Sequence, residues 1–306
     1  MEYDRSKEIF AFYNVENLLL PDAPPVHSAD PTISGLRNWD DRKYRQKLNK
    51  IAHVAELISA SEGVLPMLFG VAEIQGEKAL TDILELPFFK AFRAVHFPSA
   101  DTRGIDVALL YDPEKVEILS SKTIRLTEES GQVFDTRDIL HVRLGFCNEI
   151  FNAYVVHFPS RKDKDANFGL RENLVRRLAA DIAQNSNSEA VILMGDFNCN
   201  PDDKMLLPIF KNNSGKQIFN PFADLYTNGI YSTFHNKSGQ TFDQIMLSEH
   251  FQQSDFPLKF TAAKVFSHEK LRSSNRKLAQ RPARTYAGKR YLGGYSDHFP
   301  VITVLN

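Results

Sequence analysis

Apolar stretches of this chain repeatedly stop, or start, at a single polar residue. Ile9–Tyr13 runs into Asn14, Met67–Ala72 into Glu73, Ile150–Val156 into His157, and Ala190–Met194, closed by Gly195, into Asp196. Phe242–Leu247 carries Asp243 beside its start, and Asp297 and His298 stand just before Phe299–Leu305. Short apolar runs bounded in this way read as buried strands. If these strands share a sheet and their polar ends lie together, one rim collects carboxylates, an amide and imidazoles. Sheet proteins commonly carry function on such a rim.

Between the strands the period changes. Tyr44, Leu48, Ile51, Ala55 and Ile58 recur at spacings of four and three, which predicts a helix capped by Asp40 or Asp41. Leu174, Leu178 and Ile182 line one face of a second helix. Ile105–Tyr111 is a further strand, and Ile139–Leu144 and Ile150–Val156 read as a hairpin around Gly145. Pro21–Asp40, rich in Pro, Asp, Ser and Gly, reads as a long loop. With no repeat, linker or low-complexity run, one domain over residues 1–306 is the simplest account.

Composition narrows the classes. Hydrophobic residues make up 42% and charged residues 25%, ordinary globular usage that argues against disorder. The 23 phenylalanines call for a large aromatic interior. A net charge of −1 creates no global field, so any phosphate-binding surface must be local. Cys147 and Cys199 are too few for a disulfide framework or a zinc site and read as reduced, mostly buried thiols. Met1–Glu8 is charged and lacks an apolar signal core, and no apolar run approaches the ~18 residues of a membrane span. A cytoplasmic monomer is expected; a trimmed signal peptide would make it secreted or periplasmic.

The polar residues bring chemistry and, in each case, a blander alternative. Glu73 offers the hard oxygen that suits magnesium or manganese, or is a solvated strand end. In extended chain Asp196 and Asn198 would share a face and address one oxygen together; the alternative is an Asx turn into the helix start at Asn200-Pro201-Asp202-Asp203. Asp297 and His298, adjacent, would point to opposite faces and serve two partners. Asp243 inside an apolar strand is costly unless paired, and His298 is the partner expected. His157 leads into Ser160 and Arg161, which suits a phosphate site.

Taken in order, the strings Phe12-Tyr13-Asn14-Val15-Glu16-Asn17-Leu18, Val71-Ala72-Glu73-Ile74-Gln75, Arg103-Gly104-Ile105-Asp106-Val107-Ala108-Leu109-Leu110-Tyr111, His157-Phe158-Pro159-Ser160-Arg161, Gly195-Asp196-Phe197-Asn198, Phe242-Asp243-Gln244-Ile245 and Ser296-Asp297-His298-Phe299-Pro300 resemble the endonuclease/exonuclease/phosphatase superfamily. The resemblance implies a four-layer α/β/β/α sandwich, two packed mixed sheets flanked by helices. It implies that Asn14 and Glu73 hold a magnesium ion, with manganese as the alternative and Asp297 nearby. Asp196 would orient or deprotonate the attacking water, and Asn198 would hold the scissile phosphate. Asp243 would pair with His298, which contacts phosphate or shares the base role. His157 would stabilise the transition state or assist the leaving oxygen. Arg103, Tyr111 and Arg161 would be further substrate contacts.

The implied activity is metal-dependent hydrolysis of phosphate esters, with a phosphodiesterase or nuclease first. A phosphatase of inositol phosphates, phospholipid head groups or other small esters is the alternative. A binding module that kept the fold and lost the chemistry is the reading from another class. It is disfavoured because the polar set is complete. Between Lys264 and Arg290 the chain carries nine Lys and Arg residues and one acid, Glu269. That stretch is expected to form a basic lip for nucleic acid, or else a solvated loop.

Overall fold

The computed structural model describes residues 7–21, 36, 38–127, 131, 133–161, 165–185, 189–210 and 217–306. Its strands are β1 (Glu8–Leu18), β2 (Leu68–Gln75), β3 (Arg93–His96), β4 (Ile105–Tyr111), β5 (Glu117–Ile124), β6 (Ile139–Phe146), β7 (Glu149–His157) and β8 (Ala190–Asp196), followed by β9 (Ile218–Phe219), β10 (Thr233–His235), β11 (Ser238–Gln240), β12 (Asp243–Ser248), β13 (Phe260–Val265), β14 (Tyr286–Ala287), β15 (Arg290–Tyr291) and β16 (Val301–Leu305). Helix α1 (Asp41–Glu62) follows β1, α2 (Gly76–Leu84) follows β2, and α3 (Phe168–Asn185) follows β7. Most of the expected loop from Pro21 to Asp40 lies outside the described residues.

Two six-stranded sheets form, in the orders β13-β16-β1-β2-β4-β3 and β5-β6-β7-β8-β12-β9. Each contains one parallel pair, β1 with β2 and β7 with β8. Parallel neighbours cannot be joined by a tight turn, and α1 and α3 supply the two crossovers. The result is the four-layer α/β/β/α sandwich expected from the resemblance. The helices behave as their periodicity requires. Asp40 accepts from the Lys43 backbone N–H at 2.8 Å to start α1, and Gly63, at φ 75°, ends it. Tyr44, Leu48, Ile51, Ala55 and Ile58 are all buried. Leu174, Leu178 and Ile182 of α3 join a cluster with Tyr154, Val156, Val191 and Leu193 on one face of the second sheet.

The opposite face of that sheet, with Phe151, Ala153, Val155, Ile192, Met194, Ile245 and Leu247, packs into one continuous core with Phe10 and Phe12 of β1. Two positions pack closely because they carry no side chain, one between the sheets and one within the second sheet. A Cβ on Gly70 would lie 2.6 Å from Met194 Sδ of the facing sheet. A Cβ on Gly195 would lie 2.2 Å from the carbonyl oxygen of Val156 on the neighbouring strand. Gly195 therefore does not close the strand, contrary to the expectation from its place after the apolar run. It is a strand residue whose lack of a side chain lets β8 run on to Asp196.

Other expectations are also amended. The β6–β7 turn is not at Gly145, which pairs with Ile150 inside the ladder. It sits at Cys147 and Asn148, both at positive φ, the backbone a tight two-residue hairpin needs. Cys147 is accordingly exposed, and Cys199 is buried. Strands β3, β5, β9 and β13 lie at sheet edges. Most residues of β3, β5 and β13 are partly or fully exposed, so they carry no apolar run to announce them. No helix among the described residues is long and apolar enough to cross a membrane.

Gly195→Ala is expected to destabilise the protein by about 3 kcal/mol, the upper range for overpacking, because backbone rather than a flexible side chain must move. Denaturant unfolding of the variant checks this; a midpoint equal to wild type would show that β7 and β8 have room to part.

Candidate active site

Side chains along a strand alternate between faces, so register decides which polar residues meet. His157, Asp196 and Asp243 are direct neighbours across β7, β8 and β12. Each continues the row that faces the other sheet: Val155 precedes His157, Met194 precedes Asp196, and Ile245 follows Asp243. Asn14 ends the corresponding row of β1 after Phe10 and Phe12. The slot between the sheets, apolar along its length, thus becomes polar at one rim. That rim opens into a cavity of about 470 Å³, lined among others by Glu73, Arg103, His157, Asp196, Asn198, Asp297 and His298.

Glu73 reaches this slot only through an irregularity. Ala72 pairs with Val107 and Ile74 with Asp106, leaving Glu73 as an extra residue at φ 68°. A bulge of this kind re-aims a side chain. On β1 the register slips between Asn14 and Leu18, with Glu16 at φ 56° and Asn17 at φ 49°. Asn17 N–H then donates to Glu73 Oε2 at 2.7 Å. Asn14 Nδ2 donates to Glu73 Oε1 at 3.3 Å and to Asp196 Oδ2 at 3.1 Å, so one amide joins a carboxylate from each sheet. Its oxygen accepts from Glu16 N–H at 3.0 Å, which fixes the amide orientation. Asn14 thus presents nitrogen, not oxygen, to the carboxylates.

Asp243 and His298 are paired, as the sequence led one to expect. His298 Nδ1 donates to Asp243 Oδ2 at 2.7 Å, and Ser232 Oγ donates to the same oxygen at 2.6 Å. The other ring nitrogen of His298 faces Asp196 Oδ2 at 4.0 Å and Asp297 Oδ1 at 3.9 Å. Asp297 and His298 therefore border one cavity rather than opposite faces, because this segment precedes β16 and is not extended strand. They do serve two partners, since Asp297 Oδ2 accepts from Arg284 at 2.7 Å. His157 Nε2 lies 3.7 Å from both Glu73 Oε1 and Asp196 Oδ2, too far for hydrogen bonds.

Electrostatics follow from burial. Burial, then the charge of Asp243, pushes the Asp196 carboxyl up to about 7. For His157, burial and then the guanidinium groups of Arg137 and Arg103 hold the imidazole well below its ordinary range, hence neutral. For His298, burial opposes the charge, but Asp243, Asp196 and Asp297 together outweigh it and raise the imidazole well above its ordinary value. Asp243 Oδ1 is buried with no hydrogen-bond donor among the described residues. Asp196, Asp243 and His298 offer ligand atoms within 4.8 Å of one another, and Glu73 Oε1 shares the Asn14 amide with Asp196. Glu73 and Asp196, carboxylates from the two sheets that share one amide at the cavity, supply the hard oxygens a divalent cation requires.

Three predicted residues sit elsewhere than expected. Tyr111 pairs with Leu68 at the start of β2, the end away from Glu73, and borders a different cavity. Arg161 lies behind the site, donating to the Asn198 carbonyl at 2.7 Å and pairing with Asp203. Asn198 is not extended: at φ 48° its N–H donates to Asp196 Oδ1 at 2.9 Å and its side chain to the Phe158 carbonyl at 2.8 Å. The Asx turn and the cavity wall are thus the same feature. Arg103 does line the cavity while bonded to Asp101. Arg137, not singled out from the sequence, is buried and donates to the carbonyls of His157 and Phe158. It stands just before β6, and the rule of polar residues at strand starts would have found it.

Residues 9–306 match the sequence model of the Endonuclease/Exonuclease/phosphatase family. No curated protein sequence matches the chain closely enough to count as a relative. Among solved structures, D. rerio TDP2 complexed with a single-strand DNA product superposes with a TM-score of 0.61 at 15% identity, over 98% of this chain and 99% of that one. The human Nocturnin catalytic domain with a bound sulfate anion gives 0.62 at 16% identity, over 98% and 94%. A mannosyl-6-phosphatase of Bacteroides thetaiotaomicron gives 0.62 at 15% identity, over 98% and 99%. At these identities the likeness is one of fold.

If the carboxylate cluster takes a cation, magnesium or manganese at one hundred times its Kd is expected to stabilise the folded protein by about 2.7 kcal/mol. Thermal unfolding with added metal and with chelator measures this. The same stabilisation in a Glu73→Gln, Asp196→Asn double variant would place the cation elsewhere.

Proposed function

The chain belongs to the endonuclease/exonuclease/phosphatase family, whose named activities all hydrolyse phosphate esters, and from that premise we propose that it is a divalent-metal-dependent phosphodiesterase acting on nucleic acid. The observation that carries this reading is the in-register row His157, Asp196 and Asp243, facing Asn14 and Glu73 across the gap between the sheets. With His298 paired to Asp243, such a row would supply the three requirements of the reaction: a base for water, positive charge for phosphate oxygens, and donors for the oxygen that leaves.

Glu73 would hold the magnesium ion, with Asp297 lining the same cavity, and the charge of the bound ion would neutralise phosphate oxygens. Asn14 orients Glu73 and Asp196 through its amide nitrogen rather than serving as a ligand. Asp196 takes the proton of the attacking water. His298 is unsuited to that task, because Asp243 keeps it charged; it faces the phosphate as an imidazolium. Neutral His157 donates to an oxygen on which charge builds. Arg103 at the cavity wall and Arg284 at its edge add positive potential.

A substrate panel tests the reading. Single- and double-stranded DNA, RNA, inositol phosphates, sphingomyelin, a sugar phosphate and a simple phosphodiester are each assayed with magnesium, manganese and chelator. Cleavage of nucleic acid with metal and none with chelator is expected. Turnover of a phosphomonoester alone would replace the phosphodiesterase by a phosphatase. Asp196→Ala and His298→Ala are each expected to lower the rate at least ~100- to 1,000-fold while the melting profile stays cooperative. Near wild-type turnover in either variant would remove that residue from the chemistry.

A further inference from the structure

A second cavity, of about 420 Å³, adjoins the first, and the two share Phe234, Arg284 and Asp297. Its walls come from residues 273–294, the part of the basic stretch that reaches the site. Not all of that stretch does. Lys264 pairs with Glu62, which also binds Lys7, at the end of β1 away from Asn14. Arg272 is turned onto the Ser267 carbonyl at 2.8 Å.

The wall is a folded scaffold. Ser273 N–H donates to the Arg281 carbonyl, Ala283 N–H to the Leu271 carbonyl, and Ala287 pairs with Arg290 in the β14–β15 hairpin. On it stand three arginines. Arg284 is spent on Asp297. Arg281 and Arg290 have no carboxylate partner among the described residues, and Arg281 lies over the Phe234 ring at 5.1 Å. The same cavity presents Leu278 and Leu292, which are 37% and 48% exposed. Large apolar side chains open to water beside unpaired guanidinium groups fit a ligand that is anionic on one side and flat and apolar on the other. A nucleotide has that character: guanidinium takes its phosphate in a fork, and apolar and aromatic faces take its base. A small phosphomonoester would be held in the first cavity and leave the second unused.

We infer that the second cavity is a subsite for the nucleotide adjoining the scissile phosphate, with its own phosphate on Arg281 and Arg290 and its base against Leu278 and Leu292. The inference rests on the phosphodiesterase reading of the first cavity. The test compares wild type with an Arg281→Ala, Arg290→Ala double variant on two substrates: a single-stranded DNA oligonucleotide, and bis(p-nitrophenyl) phosphate, which has no second phosphate. For the oligonucleotide, kcat/KM is expected to fall about tenfold relative to the small diester, mainly through KM. Binding of the labelled strand in chelator should lose about 0.7 from its salt slope, the share of one single-strand phosphate contact. Equal effects on both substrates, or an unchanged slope, overturn the subsite alone. A wild-type protein inert toward both diesters with either metal overturns the reading beneath it.

Discussion

The buried carboxylate of Asp196 is the interaction around which the rest is arranged. A carboxylate withdrawn from water is costly unless donors meet it. Asp196 finds one in its own turn, the Asn198 N–H, and one in the opposite sheet, the Asn14 amide. The second bond ties the two sheets together at the rim and requires them to lie close. Gly70, opposite Met194, allows that approach, and Gly195, under the Val156 carbonyl, allows β8 to reach the rim in register. The apolar packing of the sandwich and the polar geometry of its rim are therefore one constraint.

A second set of contacts holds the far wall. Glu16 accepts from the backbone N–H groups of Thr285 and Tyr286 at 2.6 and 3.3 Å. Lys47 reaches from α1 to Thr285 Oγ1 at 2.6 Å and to the Tyr295 carbonyl. Burial pushes that ammonium down to about 8, although Glu16, Asp297 and Glu73 favour its charge, and burial with the charge of Asp297 lifts Glu16 to about 7. A strand end and a helix thus clamp the segment that precedes Asp297 and His298. Ser296 closes the same loop by donating to the Asn14 carbonyl at 2.7 Å. Arg284, Asp297 and His298 are positioned by this clamp together with Thr233 of β10, which bridges to His298 and donates to the Asp297 carbonyl at 2.8 Å.

Much of this was legible in the sequence because strands announce themselves by apolar runs and end where polar residues begin. That Asn14, His157, Asp196 and Asp243 gather at one rim followed from that pattern, although two sheets share the rim rather than one. The Asp243–His298 pair followed from the cost of a carboxylate in an apolar strand. Tyr111 went astray because a strand has two ends and a run of apolar residues does not say which one faces the site. Arg161 went astray because sequence proximity to His157 does not tell which side of a turn a long side chain takes. Lys47 and Glu16 were invisible: in α1 the lysine occupies a position that reads as solvated, and only the packing of residues 285–295 against the helix buries it.

Glu73 marks the deeper limit. Had β2 kept its alternation, Gly70 and Ala72 would face the second sheet and Glu73 would point away from it. One extra residue reverses this, at the cost of a left-handed backbone in a residue with a side chain. Glu16, Asn17, Asn198 and Asn236 share that conformation and border the same cavity, so five of the nine such residues described gather at one mouth. Each costs about 1–3 kcal/mol and persists only where neighbours over-determine it. Here the neighbours are Glu73 Oε2 on the Asn17 N–H and Asp196 Oδ1 on the Asn198 N–H. The carboxylates that face the cavity are the same groups that hold its strained walls. Anything that changes their charge, a bound cation or a proton, acts on the backbone around them as well as on a ligand.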